Sequence, residues 1–428
     1  VSSASRGPTL SELHQVGSNA RVESRTRRLL LLATLYVSQA IPLGFFIEGV
    51  PAIARSLGLS LEQVGLIQAL ALPFMIKFLW APIVDGRGGA KGHYRSWLVP
   101  LQAVAILLVG AIAFLDPASQ LPLLLVAGAA FMFVAATQDV ASDGLAVRIL
   151  NSGERGVGNG IQVGGYYLGQ VLGGGLLLIL FGRYGWTTAL LGMACLLAGP
   201  LFLLPGFREP ETKQSETVRV DFRAIARFFT RGGSRFWIPA LLLYRAGETM
   251  AIVMAKPMFV DLGLSLEQIG WIIGLGSSVA ALCGALAGGV LVERLGRSLS
   301  LGLFASLLAV AILGLMAPLL GWRSLPVFWL SSIGVSLAGG MATTALYTHM
   351  MDRSSRETGG TDFTLQQSLA AIGPLLGVGL SGWVAESWGY ATLFVLCAVV
   401  SLAAGFLAVL AARGNRGTTD RSNGRTVV

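Results

Sequence analysis

Two carboxylates stand four residues apart inside an apolar run, Gln138-Asp139-Val140-Ala141-Ser142-Asp143-Gly144. At that spacing both lie on one face of a helix. A charge near the middle of a membrane-spanning helix costs about 2.5–3.5 kcal/mol on insertion scales, so Asp139 and Asp143 must face water or a partner. Two carboxylates this close resist simultaneous ionisation, which makes one of them a natural proton carrier. The competing reading is a structural clamp, with Lys77 or Arg148 as counter-ion. Other apolar runs hold Glu48 beside Pro51, Lys77, and the pair Arg245 and Glu248, three residues apart. That pair can neutralise itself on one helix face, or Lys77 and Arg245 can meet an anionic ligand. Lys256 beside Pro257 reads as a side chain snorkelling outward. His349 is one of only 3 histidines and reads as a structural group or a proton relay.

Uncharged polar groups form a second pattern. Gln162, Tyr166 and Gln170 recur at helical spacing, with Gly165, Gly169 and Gly173 on the neighbouring stripe. Glycines at that spacing allow close approach of another helix, while the polar stripe suits a cavity wall. Gln366 matches Gln162 at an offset of 204 residues, and Pro374 falls where Gln170 would recur.

The elements that position these groups are membrane helices. Of 428 residues, 54% are hydrophobic and only 12% charged, too little charged surface for a soluble domain, and the mean hydropathy is +0.70. Apolar runs of about 20 residues or more, enough to cross roughly 30 Å of hydrocarbon, recur along the chain. They fall near 29–54, 63–82, 96–115, 121–147, 158–182, 187–206, 237–257, 268–291, 299–320, 325–350, 362–386 and 390–411. In hydrocarbon each must satisfy its own backbone hydrogen bonds, so each is a helix. The fold class is therefore an all-α membrane protein of twelve helices, and soluble enzymes are excluded.

The net charge of +9 follows topology rather than nucleic acid. Of 31 Lys and Arg, only Arg55, Arg183 and Arg323 fall in loops on one side, and Lys77, Arg245 and Lys256 lie in or at the ends of spans. The basic side is the cytoplasmic one, which places both termini in the cytoplasm. Trp97, Trp186, Trp237, Trp322 and Trp388 sit at span ends, where an aromatic belt is expected. Cys195, Cys283 and Cys397 all lie in apolar spans without a spaced partner, so neither a disulfide framework nor a metal site is expected. The 28 polar residues before the first span lack the pattern of a cleavable signal. A G-x-x-x-x-G-K-[ST] phosphate loop is absent, which leaves gradients as the energy source.

The chain repeats itself. Leu57-Gly58-Leu59-Ser60-Leu61-Glu62-Gln63-Val64-Gly65 recurs as Leu262-Gly263-Leu264-Ser265-Leu266-Glu267-Gln268-Ile269-Gly270, 205 residues on. Tyr184-Gly185-Trp186 returns as Trp388-Gly389-Tyr390 at 204, the offset that also joins Gly169, Gly173 and Gly175 to Gly373, Gly377 and Gly379. Six spans per copy is even, so the halves at 29–206 and 237–411 enter the membrane from the same side as parallel repeats. Residues 207–236 form a basic linker with an amphipathic helix expected near Asp221–Thr230, residues 1–28 a tail, and 412–428 a Gly-, Thr- and Arg-rich end expected to be disordered. Between second and third spans of each half lie Ala81-Pro82-Ile83-Val84-Asp85-Gly86-Arg87-Gly88-Gly89 and Gly289-Val290-Leu291-Val292-Glu293-Arg294-Leu295-Gly296-Arg297. An acid at a helix end with cations in a tight turn can latch neighbouring helices in one of two states, or merely set topology. Asp85, Arg87, Glu293, Arg294 and Arg297 are the gate candidates.

The second loop resembles the major facilitator signature G-x-L-x-[DE]-R-x-G-R at every fixed position; the first departs at Ala81 and Gly86. Lys77-Phe78-Leu79-Trp80-Ala81-Pro82-Ile83-Val84-Asp85 and the Gln138–Gly144 string resemble the AmpG muropeptide permease and acetyl-coenzyme A transporter branch of that superfamily. Ala146-Val147-Arg148, Gly158-Asn159-Gly160-Ile161-Gln162-Val163 and Tyr166-Tyr167-Leu168-Gly169 are similar to a narrower set that contains the RhtX/FptX siderophore permeases. The resemblance implies a bacterial inner-membrane permease, proton-driven and working by alternating access, that imports an iron–siderophore complex such as a pyochelin-like ligand. Muropeptide import is the alternative, with acyl-coenzyme A or another small molecule behind it. The partners implied are that small molecule, protons and the lipid bilayer, for a monomer without a cofactor. Rival classes are a non-transporting receptor and a channel.

Overall fold

Among the described residues the apolar runs fold as helices, and glycine decides where the longest ones break. A computed structural model describes residues 23–56, 67, 69–88, 92–117, 119–210, 220–230 and 233–423. The side chain of Glu48 and the repeat segment at 57–65 lie outside the described residues. In chain order the helices are α1 (Arg25–Leu43), α2 (Ala69–Leu79), α3 (Ala81–Gly86), α4 (Arg95–Ile112), α5 (Leu121–Ile149), α6 (Arg155–Gln170) and α7 (Leu177–Leu197). The linker helix α8 (Arg223–Thr230) precedes α9 (Ser234–Leu243), α10 (Ala246–Asp261), α11 (Ser277–Leu295), α12 (Arg297–Gly314), α13 (Leu325–Arg353) and α14 (Gly359–Asn423).

Nine helical stretches among the described residues are long and apolar enough to cross a membrane. Two of them, Arg155–Phe202 and Gly359–Arg413, each hold one residue outside the helical region, Gly185 at φ 81° and Gly389 at φ 82°. No neighbour lies within 4 Å of either glycine's missing Cβ, so the backbone conformation, not space, requires glycine there. Split at these points the stretches give eleven passes, and the shorter apolar helix Ala69–Leu79 lies where the remaining pass is expected. The two glycines are the centres of the repeated Tyr-Gly-Trp and Trp-Gly-Tyr strings, so the duplication holds in three dimensions.

Bare glycine surfaces set the helix packing. α1 and α6 both pass into π-helical turns, Gly44–Gly49 and Val171–Leu176. A Cβ on Gly44 would lie 2.9 Å from Cα of Gln170, and one on Gly173 would strike the carbonyl of Ile41. On the opposite edge of α6, Gly156, Gly160 and Gly164 meet Gly289, Ala285 and Leu282 of α11, across the boundary between halves. One apolar core lies within the first half around Phe45, Phe46, Phe131 and Trp186. The other joins both halves through Leu31, Tyr94, Leu145, Met351 and Phe363. Leu107, Val126, Val310, Leu330 and Phe406 stand exposed, as side chains facing lipid tails do.

Two expectations are corrected. Trp186 and Trp237 are buried, with their indole N–H groups donating to Ile112 O and Gln366 Oε1, so neither belongs to an aromatic belt. The segment after Ala412 continues as helix to Asn423 rather than beginning a disordered tail. Extending a formed helix needs no new nucleus, which offsets weak propensity there.

Candidate functional site

A cavity of about 250 Å³ lies between the halves. The first half contributes Tyr36 and Gln39 of α1, Lys77 of α2, Asp139 of α5, and Gln162, Tyr166 and Tyr167 of α6. The second contributes Arg245 at the start of α10, Thr343 and Tyr347 of α13, and Gln367 and Ser368 of α14. Tyr166 is 42% exposed, so this wall reaches the surroundings.

Lys77 is buried and forms an ion pair with Asp139, and its ammonium also donates to Gln367 Oε1 at 2.8 Å across the halves. The clamp reading thus holds for Asp139, while the pair still lines the cavity. Asp143, expected beside it, stands fully buried one turn behind the wall. Its Oδ1 accepts from Gln162 Nε2 at 2.8 Å and Tyr36 Oη at 3.3 Å, and its Oδ2 has no partner. Arg148, the other proposed counter-ion, turns away to Glu209 at 2.7 Å, because its helix end lies at the linker.

The polar stripe divides. Gln162 and Tyr166 line the cavity, whereas Gln170 does not and donates to Tyr166 Oη at 2.8 Å. Gln366 also misses the cavity: it is held inside the second half by Trp237, Met350 O and Asp362 O, and its neighbour Gln367 takes the exposed face. The repeat offset located the helix but slipped by one residue at the side chain. Arg245 and Glu248 form no ion pair among the described residues; the Glu248 carboxylate lies instead against Gly339 of α13. His349 is buried edge-to-face on Trp237, with ring centroids 4.8 Å apart, and is no part of the cavity wall. Glu48 lies on the π-turn backbone, with its side chain outside the described residues.

Several buried polar atoms at the cavity have no protein partner: Gln39 Oε1, Gln162 Oε1, Thr343 Oγ1, Ser368 Oγ and Arg245 Nε. Each costs about 1–3 kcal/mol if nothing replaces its water, and their gathering in residues that line one cavity makes it the candidate ligand site. Sequence reasoning missed Tyr36, Gln39, Thr343, Tyr347 and Gln367. For two the repeat held the signal, since Thr343 and Tyr347 lie 204 residues beyond Asp139 and Asp143.

The gate candidates lie at the end of the bundle where α1 begins, with Arg25 reaching Glu293 at 4.0 Å. Asp85 is buried and accepts from the N–H groups of Gly360 at 3.1 Å and Thr361 at 2.7 Å, at the N-terminus of α14. Tyr94 Oη adds a third bond at 2.7 Å. Burial pushes the Asp85 carboxyl above its ordinary value, and the bonds from Thr361, Tyr94 and Gly360 pull it back. Glu293 does the mirror task, accepting from Val157 N–H at 3.1 Å near the N-terminus of α6. Both carboxylates oppose the positive end of a helix dipole in the other half. Asp352 ties Arg155 at 3.0 Å to Arg297 at 2.7 Å. The side chains of Arg87 and Arg294 are exposed and form no ion pair among the described residues; the extended backbone at Arg87 turns its side chain to the surface. From the linker, the buried Glu209 accepts from Tyr94 N at 3.0 Å and pairs with Arg148, and burial raises its carboxyl above the usual range. No group of three or more His, Cys, Asp or Glu is placed to hold a metal among the described residues.

Residues 237–427 match the family described as Major Facilitator Superfamily, and residues 28–182 the family described as Acetyl-coenzyme A transporter 1. The chain is 30% identical over 394 residues to an uncharacterized protein of Haemophilus influenzae, covering 88% of this chain and 92% of that one. It is 26% identical over 401 residues to the anhydromuropeptide permease of Escherichia coli K12, covering 92% and 81%. With the putative transporter AmpG 1 of Rickettsia conorii it shares 24% over 369 residues, covering 80% and 88%. Among solved structures, the transporter FucP in the outward conformation matches with a TM-score of 0.71 at 14% identity, over 89% of this chain and 97% of that one. The human organic anion transporter MFSD10 (TETRAN) gives 0.67 at 16%, over 90% and 100%.

Proposed function

This chain belongs to the major facilitator superfamily, in the branch of the AmpG permeases and acetyl-coenzyme A transporters, and from that premise we propose that it imports an anhydromuropeptide or closely related sugar–peptide conjugate. It is a multi-pass secondary transporter and not an enzyme. The observation that carries the cargo is the 26% identity to an anhydromuropeptide permease across 92% of this chain. None of the relatives named above bears a siderophore in its name, so the cargo implied by the shorter strings gives way to the alternative. The cavity supports the reading, since hydroxyls and amides with free hydrogen-bonding capacity suit sugar and peptide groups.

In this reading the protein sits as a monomer in a bacterial inner membrane with both termini in the cytoplasm. The contacts at Asp85, Glu293 and Asp352 then close the cytoplasmic side, and cargo enters from the periplasm. A proton taken up by Asp139 releases Lys77 from its ion pair, and the freed ammonium turns to the cargo and leaves Gln367 of the other half. The halves rock, the latches at the two helix N-termini part, and cargo leaves inward. One unit charge crossing 100 mV supplies about 2.3 kcal/mol.

The test is uptake of labelled anhydro-disaccharide tripeptide into proteoliposomes under an inward proton gradient. Saturable uptake that a protonophore abolishes is expected. Uptake of ferric pyochelin in its place, uncompeted by excess muropeptide, overturns the cargo; gradient-independent uptake overturns the drive.

A further inference from the structure

The cavity holds two cations, and their situations differ. Lys77 is neutralised by Asp139 and hydrogen-bonded to Gln367. Arg245 makes no ion pair among the described residues, and its Nε is buried without a partner. The carboxylate nearest in sequence, Glu248, is turned toward Gly339 of the neighbouring helix. The Glu248 charge acts on this guanidinium only through space, without ion-pair contact, so the fork of donors stays costly to enclose until an anionic group meets it directly. The planar fork matches a carboxylate with two parallel bonds. Thr343 Oγ1 and Ser368 Oγ, in the same half of the wall, are buried and unpartnered as well. They supply neutral donors in the same cavity lining as the cation, as a carboxylate subsite needs.

We propose that Arg245, with Thr343 and Ser368, forms a carboxylate-binding subsite that selects anionic cargo over its neutral counterpart. The inference rests on the transport reading and adds what the cavity demands of its ligand, a free carboxylate group. The first-half wall, with Gln39, Gln162 and Tyr166, is left for the uncharged part of the cargo.

The experiment measures equilibrium binding to the purified full chain in nanodiscs, using the anhydro-disaccharide tripeptide and its fully amidated derivative. Wild type is expected to bind the acid at least about tenfold tighter than the amide, the scale of a charge-assisted pair. Arg245→Gln is expected to bind both with the affinity wild type shows for the amide, while Arg245→Lys keeps part of the preference. Equal binding of acid and amide by wild type overturns the subsite, as does an undiminished acid preference in Arg245→Gln. Gel filtration and thermal unfolding check that each variant is folded, and Arg245→Lys decides the matter where Arg245→Gln fails that check. Should neither muropeptide form bind, the cargo reading falls by itself. The same comparison is then made with pyochelin and its methyl ester: an acid preference that Arg245→Gln removes upholds the subsite, and its absence overturns it.

Discussion

The two helix-terminus contacts that the proposed mechanism uses as latches correspond through the internal repeat but differ in strength. Val157 and Thr361, whose N–H groups they hold, lie 204 residues apart, the offset of the internal repeat. Yet Asp85 is buried under three donors, while Glu293 has one and its side chain is 20% exposed. The difference comes from the turn that follows. After Asp85 the chain makes a loop long enough to bring Tyr94 back over the carboxylate. After Glu293 a single residue, Gly296 at φ 84°, starts the next helix, and no counterpart of Tyr94 fits. The charged wall of the cavity is unequal in the same direction, because Asp139 and Asp143 correspond to Thr343 and Tyr347. Duplication supplied the frame, and among the described residues that line the cavity the carboxylate, Asp139, stands in the first half.

The largest effect that tests this asymmetry falls on Asp139. Asp139→Asn leaves the Lys77 ammonium buried without its counter-charge, which costs about 3–5 kcal/mol. Thermal unfolding in detergent is expected to fall by several degrees, and gradient-driven uptake to vanish. Thr343→Ala, at the equivalent place, is expected to cost about 1 kcal/mol or less. Lys77→Met with Asp139→Leu is expected to recover most of the stability and none of the transport. Equal losses for Asp139→Asn and Thr343→Ala would remove the distinction between the two walls.

Next in size is Asp85→Asn. An amide can accept one of the two N–H groups of α14 but turns its own NH₂ toward the other. A buried donor left unpaired costs about 1–3 kcal/mol, a shift of roughly 5- to 150-fold in the opening equilibrium. Spin labels at Gly153 and Glu357, both exposed at the end of the bundle where α1 begins, report that opening as a longer distance between halves. Tyr94→Phe removes only the third donor, so it is expected to give about 1 kcal/mol in the same assay. A change in Asp85→Asn no larger than that of Tyr94→Phe would mean that the helix N-terminus contributes nothing to the latch.

Much of this frame was legible before any coordinates. Hydropathy gave every pass, because a helix in hydrocarbon has no alternative backbone pairing, and the repeat gave the two halves. Asp85 and Glu293 were legible as gate candidates because loop acids beside tight turns are few. Their partners were not, since backbone N–H groups at a helix start carry no residue signature. The cavity was half legible. Charged residues announce themselves in apolar runs, so Lys77, Asp139 and Arg245 stood out. Tyr36, Gln39 and Gln367 are ordinary in composition, and only the rotation of each helix decides whether they face the cavity. Gln366 shows the limit, since one position of rotation, about 100°, exchanged it for Gln367. The glycines Gly156, Gly160 and Gly164 carried a readable signal at spacing four, overshadowed by the parallel stripe at Gly165, Gly169 and Gly173.

The smallest effect belongs to Glu293, and it sharpens the comparison most. Its single bond to Val157 and partial exposure to water put Glu293→Gln at about 0.5–1 kcal/mol, or 2- to 5-fold in the same label distance distribution. Gln still presents one carbonyl oxygen to that N–H, so what is lost is the charge facing the helix dipole and the 4.0 Å ion pair with Arg25, both of which salt screens in so exposed a place. Raising the salt from low to molar concentration is therefore expected to erase the difference between wild type and Glu293→Gln. The effect of Asp85→Asn, buried under Tyr94, should persist at the same salt. A Glu293 effect that survived molar salt would show its carboxylate to be as well shielded as its counterpart, and the inequality of the latches would then need another cause.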